Sequence, residues 1–347
     1  NLDPSLAIFA DVILNPSFPQ ADFAREQKLQ LAAIQREKVT PNSIPRRVLP
    51  EILFGAGHAY GAPASGNGTE ASVSAIRRDD LVKFHQSWFK PNASTLIIVG
   101  DTTLAEITPK LERLFQGWKP GDIPKKNIAT VAPPSKPVIY LVDRPGSIQS
   151  MIMAGMLAPP TSTPDEIAIE ALDQVLGATF ISRINMNLRE DKHWTYGAST
   201  GLPGARGQRM YLAASPVQAD KTAEALAEIN KELRDILGAR PVTPDELTMA
   251  RDSLTLSLPG QFETMGAVVN AIVEITQFGL PDDYYQTYPG KVRALTGKEL
   301  AAAASRLIHP NELAWVVAGD RAKVEESLRK LNLGEVRVID ADGNPVK

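Results

Sequence analysis

The stretch LREDKHWTYG (188–197) sets two hydrogen-bond donors, the Arg189 guanidinium and the Tyr196 phenol, seven positions apart. It spans what reads as a helix end and a strand start, and two readings compete. In one, Arg189 and Lys192 complement the negative end of a helix dipole, and Tyr196 is a half-buried strand residue chosen for β-propensity. In the other, two donors are aimed at one point. Nearby, TGLPGARGQRM (200–210) carries Gly201, Gly204 and Gly207. It reads as a flexible hairpin loop, not as a phosphate loop, because it lacks both the GxGxxG order and a following Lys-Ser/Thr. The four histidines, His58, His85, His193 and His309, show no HxxEH or HxxH spacing and read as surface or packing residues. With no cysteine, disulfides, thiolate nucleophiles and Cys-ligated zinc are excluded, and the compartment stays open.

The elements that must position these residues follow from periodicity. VIYLVD (138–143) and SMIMAGML (150–157) are apolar β-prone runs separated by the turn signal Arg144-Pro145-Gly146. Thr163-Pro164-Asp165-Glu166 has the form of a capping box with proline at the first helical position. The helix it opens places Ala168, Ala171, Leu172, Val175 and Leu176 on one face. A helix over 219–237 aligns Leu226, Ile229, Leu233 and Leu237 and stops at Gly238. A second box, Thr243-Pro244-Asp245-Glu246, opens the next. Strands and helices in mixed order predict an α+β fold.

At 347 residues, 43% hydrophobic and 22% charged, the chain is an ordinary globular protein long enough for two domains. A net charge of −3 with interspersed signs argues against nucleic acid as a partner, and no apolar run approaches the ~20 residues of a membrane span. WKPGDIPKKNIATVAPPSKP (118–137), with five prolines and no helical period, reads as an extended linker. WFKPNASTLIIVGD (88–101) and LIHPNELAWVVAGD (307–320) share PN, an apolar strand and GD at an offset of 219. Ile76, Asp80 and Leu81 fall on Leu295, Glu299 and Leu300 at the same offset. The chain is therefore read as two copies of one domain: residues 1–118, a linker at 119–137, and residues 138–347. The first copy would lack roughly its first 80 residues by this alignment. The opening at Asn1, without methionine or signal segment, fits a fragment or processed product.

DVILNPSFPQADFAREQ (11–27), LFGAGHAYGAPASGNGTEASVSAIRRDDLVKFHQSWFKPNASTLIIVGD (53–101), RPGSIQS, FISRINMNLREDKHWTYG and HPNELAWVVAGD together resemble the pitrilysin/insulinase family of zinc metallopeptidases, which includes the mitochondrial processing peptidases. The resemblance implies two tandem LuxS/processing-peptidase-like domains, each an antiparallel sheet with helices packed on one face. It also implies two double-domain halves closing around an unfolded peptide, one bearing zinc on HxxEH and a downstream glutamate, the other zinc-free.

Within that resemblance, catalytic members carry two glutamates seven apart after the NPxFP segment. Here Glu26 matches the first, but Ala33 stands at the second, and Glu37 comes four positions late. Alanine has no lone pair to give a metal. The resemblance thus implies a zinc-free half, with no cofactor in this chain and zinc expected in a partner half. His58, in GHAYG, falls on a structural turn. Arg189 and Tyr196 fall on a pair that reaches across the closed chamber to the substrate carbonyl, where two donors would stabilise the oxyanion formed when water attacks. Gly201, Gly204 and Gly207 would let a peptide approach bare backbone and pair as an added strand. The expected partners are a zinc-bearing half or subunit and a peptide substrate. Bacterial members are commonly secreted to the periplasm. Two alternatives stay open: a structural core-type subunit without peptidase role, and a catalytic subunit whose zinc motif lies upstream of Asn1.

Overall fold

A computed structural model describes residues 1–346. The first third is helical: α1 (Leu2–Leu14), α2 (Gln20–Val39), α3 (Ile44–Phe54), α4 (Glu70–Ala75), α5 (Arg78–Trp88) and α6 (Leu104–Phe115). Residues 119–136 then run without helix or strand. The remainder contains β1 (Val138–Asp143), β2 (Gln149–Ala158), α7 (Glu166–Asp173), the short α8 (Arg183–Asn185), β3 (Ser199–Gly201), β4 (Arg209–Gln218), α9 (Thr222–Asp235), α10 (Pro244–Leu256), α11 (Met265–Phe278), α12 (Tyr284–Ala294), α13 (Gly297–Leu307), β5 (Ala314–Gly319), α14 (Arg321–Lys330) and β6 (Glu335–Ile339).

The strands form one sheet in the order β3-β4-β2-β5-β1-β6. β2 pairs antiparallel with β4 over ten residue pairs and with β5, and β3 pairs antiparallel with β4. β1 runs parallel to both β5 and β6. The fold is α+β with a helix-covered sheet, but the sheet is mixed where an antiparallel one was expected. The connection from β5 through α14 to β6 makes those two strands parallel, since a crossover helix returns the chain in the same direction, and β1 lies between them in the same sense.

The large core lies on one face, where Leu172, Leu226, Ile229, Leu300 and Leu328 meet Ile152 and Trp315. The other face is also covered. Ile44, Val48, Leu49, Leu53 and Phe54 of α3 pack on Met153, Val316 and Ala318. A helix from the first third thus completes the core of the sheet, so helices lie on both faces and not on one.

Local signals show which boundaries hold. Thr243 and Glu246 form the expected reciprocal cap on α10. At 163–166 the cap fails: α7 begins at Glu166 after Asp165, without a side-chain cap bond. The Glu166 carboxylate instead turns inward to an ion pair with buried Arg209, a stronger partner than a backbone N–H.

At the offset of 219, α5 coincides with α13, and the 3₁₀ turn Pro91–Ala93 with Pro310–Glu312. Asp80 accepts from the Arg77 N–H at 2.8 Å, and Glu299 from the Thr296 N–H at 2.7 Å. The matched acids therefore do the same capping job. The strands do not match: Ala314–Gly319 is β5, whereas 94–99 lies in no ladder, with Leu96 and Ile98 exposed. β5 pairs with β1 and β2, and no strand in residues 1–118 offers such a partner. Backbone groups without a ladder do not register as a strand.

Candidate active site at the end of a π-helical turn

Arg189 sits in a π-helical segment, Met186–Asp191, that continues from α8. Such turns are rare and frequently mark functional sites. Leu188 is fully buried in the core, which turns Arg189 towards the surface. The segment ends abruptly: Lys192 N–H donates to Asn187 O at 3.0 Å and Trp194 N–H to Leu188 O at 3.0 Å. Between them His193 takes the left-handed conformation, φ 58°, unusual for a residue with a Cβ.

The following loop is stapled to the end of β4. Gln218 donates its backbone N–H to Trp194 O at 3.0 Å and its side-chain amide to His193 O at 3.1 Å. The Thr195 hydroxyl bonds Pro216 O and lies 3.0 Å from Gly197 O. Tyr196 lies between these anchors and is 89% exposed. Its backbone is outside any strand, because β3 starts at Ser199. The half-buried strand reading of Tyr196 is therefore overturned.

Arg189 and Tyr196 line one open cavity of about 350 Å³ with Glu190, His193, Trp194 and Gln218. The guanidinium lies over the Phe180 ring, 4.3 Å from its centroid. Among the described residues its one ionic contact is with Glu190, at 3.4 Å. Among the described residues, neither the Tyr196 hydroxyl nor the Arg189 guanidinium takes part in a hydrogen bond within the protein. The cavity thus presents donors to whatever enters it.

The three glycines separate. The bare face of Gly204 is filled by the Phe278 ring, and that of Gly207 by Ile128 and Tyr60. Only Gly201, ending β3 at the edge of the sheet, faces open space. The loop is also tied down, since Gln208 bonds both the N–H (2.7 Å) and the C=O (3.2 Å) of Val131.

The histidines occupy packing positions. His58 stacks on Phe54 at 5.0 Å and accepts from the Tyr60 N–H on Nδ1, so Nε2 carries the proton donated to Ala129 O at 3.0 Å. Ring nitrogens of His85, His193 and His309 lie on the carbonyls of Ile13, Arg189 and Arg306.

The residues around Ala33 do not fit a zinc ion. Exposed Glu26 pairs with Arg25 at 2.6 Å. Glu37 is occupied by Arg47 at 2.8 Å, Asn67 and Ser65. Burial pushes its carboxyl up, but these hydrogen bonds hold it below the ordinary value. Among the described residues no group of three His, Cys, Asp or Glu is placed to hold a metal.

Sequence reasoning missed a second cavity of about 420 Å³, where Glu166, Glu170 and Asp173 of α7 face Glu274, Tyr285 and Tyr288. The i, i+4, i+7 spacing of those acids on an otherwise apolar helix was the available signal. It also missed Phe180 and Gln218, for which no local pattern exists.

Comparison with known proteins places the chain in a family and a fold. The family model described as "Peptidase M16 inactive domain" matches residues 75–254, more than half of the chain. A protein of Mycobacterium leprae named "Uncharacterized zinc protease ML0855" is 24% identical over 262 residues, which are 73% of this chain and 56% of that protein. This chain thus spans little more than half the length of that relative. "Non-peptidase homolog YmxG" of Helicobacter pylori is 21% identical over 92% of this chain and 73% of its own. The crystal structure of a peptidase M16 inactive domain from Pseudomonas fluorescens superposes with a TM-score of 0.84 at 22% identity, covering 92% of this chain and 75% of that one, which speaks to the fold. With the family model matching more than half of the chain and the fold shared, this chain belongs to the peptidase M16 inactive-domain family, the pitrilysin/insulinase group its sequence resembles.

Proposed function

We propose that this chain is the zinc-free, substrate-binding half or subunit of an insulinase-family metalloendopeptidase. One observation carries the reading: Arg189 and the 89% exposed Tyr196 line the same open cavity, and among the described residues neither the guanidinium nor the hydroxyl is hydrogen-bonded within the protein. A zinc-bearing partner half supplies the metal. The residues of this chain bind an extended peptide and donate to the scissile carbonyl oxygen as negative charge develops on it. Gly201, at the open end of the short edge strand β3, is where added peptide backbone meets least obstruction. The match of α5 to α13 at one offset supports two copies of one domain, 1–118 and 138–347, joined by 119–137.

The name of the Helicobacter relative, a non-peptidase homolog, favours a second reading, a scaffold that keeps the fold without the chemistry. Reconstitution with the zinc-bearing half and a quenched fluorescent peptide separates them. Tyr196→Phe keeps the ring and removes one donor, so turnover should fall on the order of 10²-fold with little change in KM. Arg189→Ala should lower turnover similarly and also raise KM, because its stem and charge contact the peptide. Wild-type turnover in both variants would leave the scaffold reading standing.

A further inference from the structure

Arg189 and Tyr196 lie on opposite sides of a sharp reversal, so something must hold the two limbs in register. The buried residue between them is Asn185, 4% exposed, at the end of α8. Its Nδ2 donates to the carbonyl of Phe180 at 2.5 Å. Its Oδ1 accepts from the N–H of Ala198 at 3.0 Å, two residues beyond Tyr196. Phe180 in turn carries the Arg189 guanidinium on its ring at 4.3 Å. A 58% exposed phenylalanine gains little from burial at that position, so the cation–π contact is what its side chain does.

We infer that Asn185 is the positioning residue for both donors, bridging the limb that carries the Arg189 platform and the limb that carries Tyr196. The inference rests on the catalytic reading of that pair. An amide suits the task because it offers one donor and one acceptor in a fixed plane. The apolar residues on either side, Ile184 and Leu188, face the core, which leaves no freedom for the amide to follow a shifted partner. Misplacing a donor by about 1 Å in such a site costs up to ~10²-fold in rate.

Asn185→Asp keeps the acceptor for Ala198 and removes the donor to Phe180. In the isolated chain, the Arg189-to-Phe180 contact read by NMR cross-peaks should disappear, while the Ala198 amide stays protected from hydrogen exchange. In the reconstituted enzyme with the quenched peptide, turnover should fall about 10-fold with KM within about twofold. Phe180→Leu, at an exposed site that does not threaten folding, should reproduce the loss. The double variant should cost no more than the larger single one, since both act through Arg189. Unchanged cross-peaks, wild-type turnover or full additivity would each overturn the role of Asn185. Arg189→Ala and Tyr196→Phe run alongside keep the two claims apart: if they lose turnover and Asn185→Asp does not, the pair stands and Asn185 falls. If the pair variants turn over normally, the catalytic reading fails, and with it any catalytic role for Asn185.

Discussion

A tyrosine that is 89% exposed gains nothing from burial, yet the backbone around Tyr196 is held by hydrogen bonds from Thr195 to the Gly197 C=O, from Gln218 to the His193 C=O, and from the Ala198 N–H to Asn185. Its type and its spacing from Arg189 were legible in the sequence, because a helix end followed by a turn brings residues seven apart to one side. The left-handed His193 was not, since it is clamped by Gln218 at the end of β4, 25 residues away. Glu37 teaches the same at another position. Read along the chain it is a near-miss metal ligand; in space it faces Arg47, whose second partner, Asp342 at 3.0 Å, lies 295 residues on. Arg47 is 4% exposed and bridges two carboxylates. Arg47→Ala should therefore cost on the order of 1–3 kcal/mol in denaturant unfolding, because it removes charge-assisted hydrogen bonds to the partly buried Glu37 and to Asp342. Asp342→Asn, at a more open position, should cost well under half of that. Equal losses would show that packing of the arginine stem, not its charge, sets the effect.

Among the elements, those with strong local patterns appear where the sequence puts them: β1, β2, and α10 with its reciprocal cap. The failures have one physical cause, competition from distant partners. Glu166 leaves its cap for Arg209, and 94–99 stays outside the sheet because no strand stands beside it. The role of α3 was equally hidden, since its apolar face, Ile44, Val48 and Leu49, reveals that it packs but not on what. It packs over Gly155 of β2, where an added Cβ would stand 2.7 Å from a Leu49 methyl. Leu49→Ala should destabilise by about 2–5 kcal/mol. Gly155→Ala alone should cost about 1–3 kcal/mol through overpacking. Combined, the two should cost less than their sum, as the new methyl enters the space the leucine leaves. Chemical denaturation of the four proteins measures this, and strict additivity would mean that α3 does not seat on β2 at this residue.

For the molecule as a whole, stability should depend on pH through two opposed sets of carboxyls. Glu37 and Glu246 are held below their ordinary values despite burial, by hydrogen bonds from Arg47, Asn67 and Ser65 and from Arg183 and Thr243 respectively. Their contribution is present above the unfolded carboxyl range and is lost as pH falls through it. The acids of the second cavity act the other way. Burial pushes Glu170 up to about 7, against a hydrogen bond from Tyr288 and with Glu166 and Glu274 adding repulsion, and pushes Asp173 up to about 6. A folded carboxyl that binds its proton more tightly than the unfolded one stabilises the fold below about pH 4.5. That stability is lost as pH rises to about 7. Glu170→Gln isolates this second set: the amide oxygen still accepts the Tyr288 hydroxyl at its 2.6 Å contact, and nothing titrates. Relative to the parent protein, the variant should gain nothing at pH 4 and progressively more through pH 5 to 7. Above that the gain should level off at roughly 3 kcal/mol, the equivalent of a carboxyl raised from 4.5 to about 7. Thermal or urea unfolding at pH 4, 6 and 8 gives the difference curve. A gain that is flat with pH, or one that shrinks as pH rises, would mean that the folded protein does not raise the Glu170 carboxyl above its ordinary value.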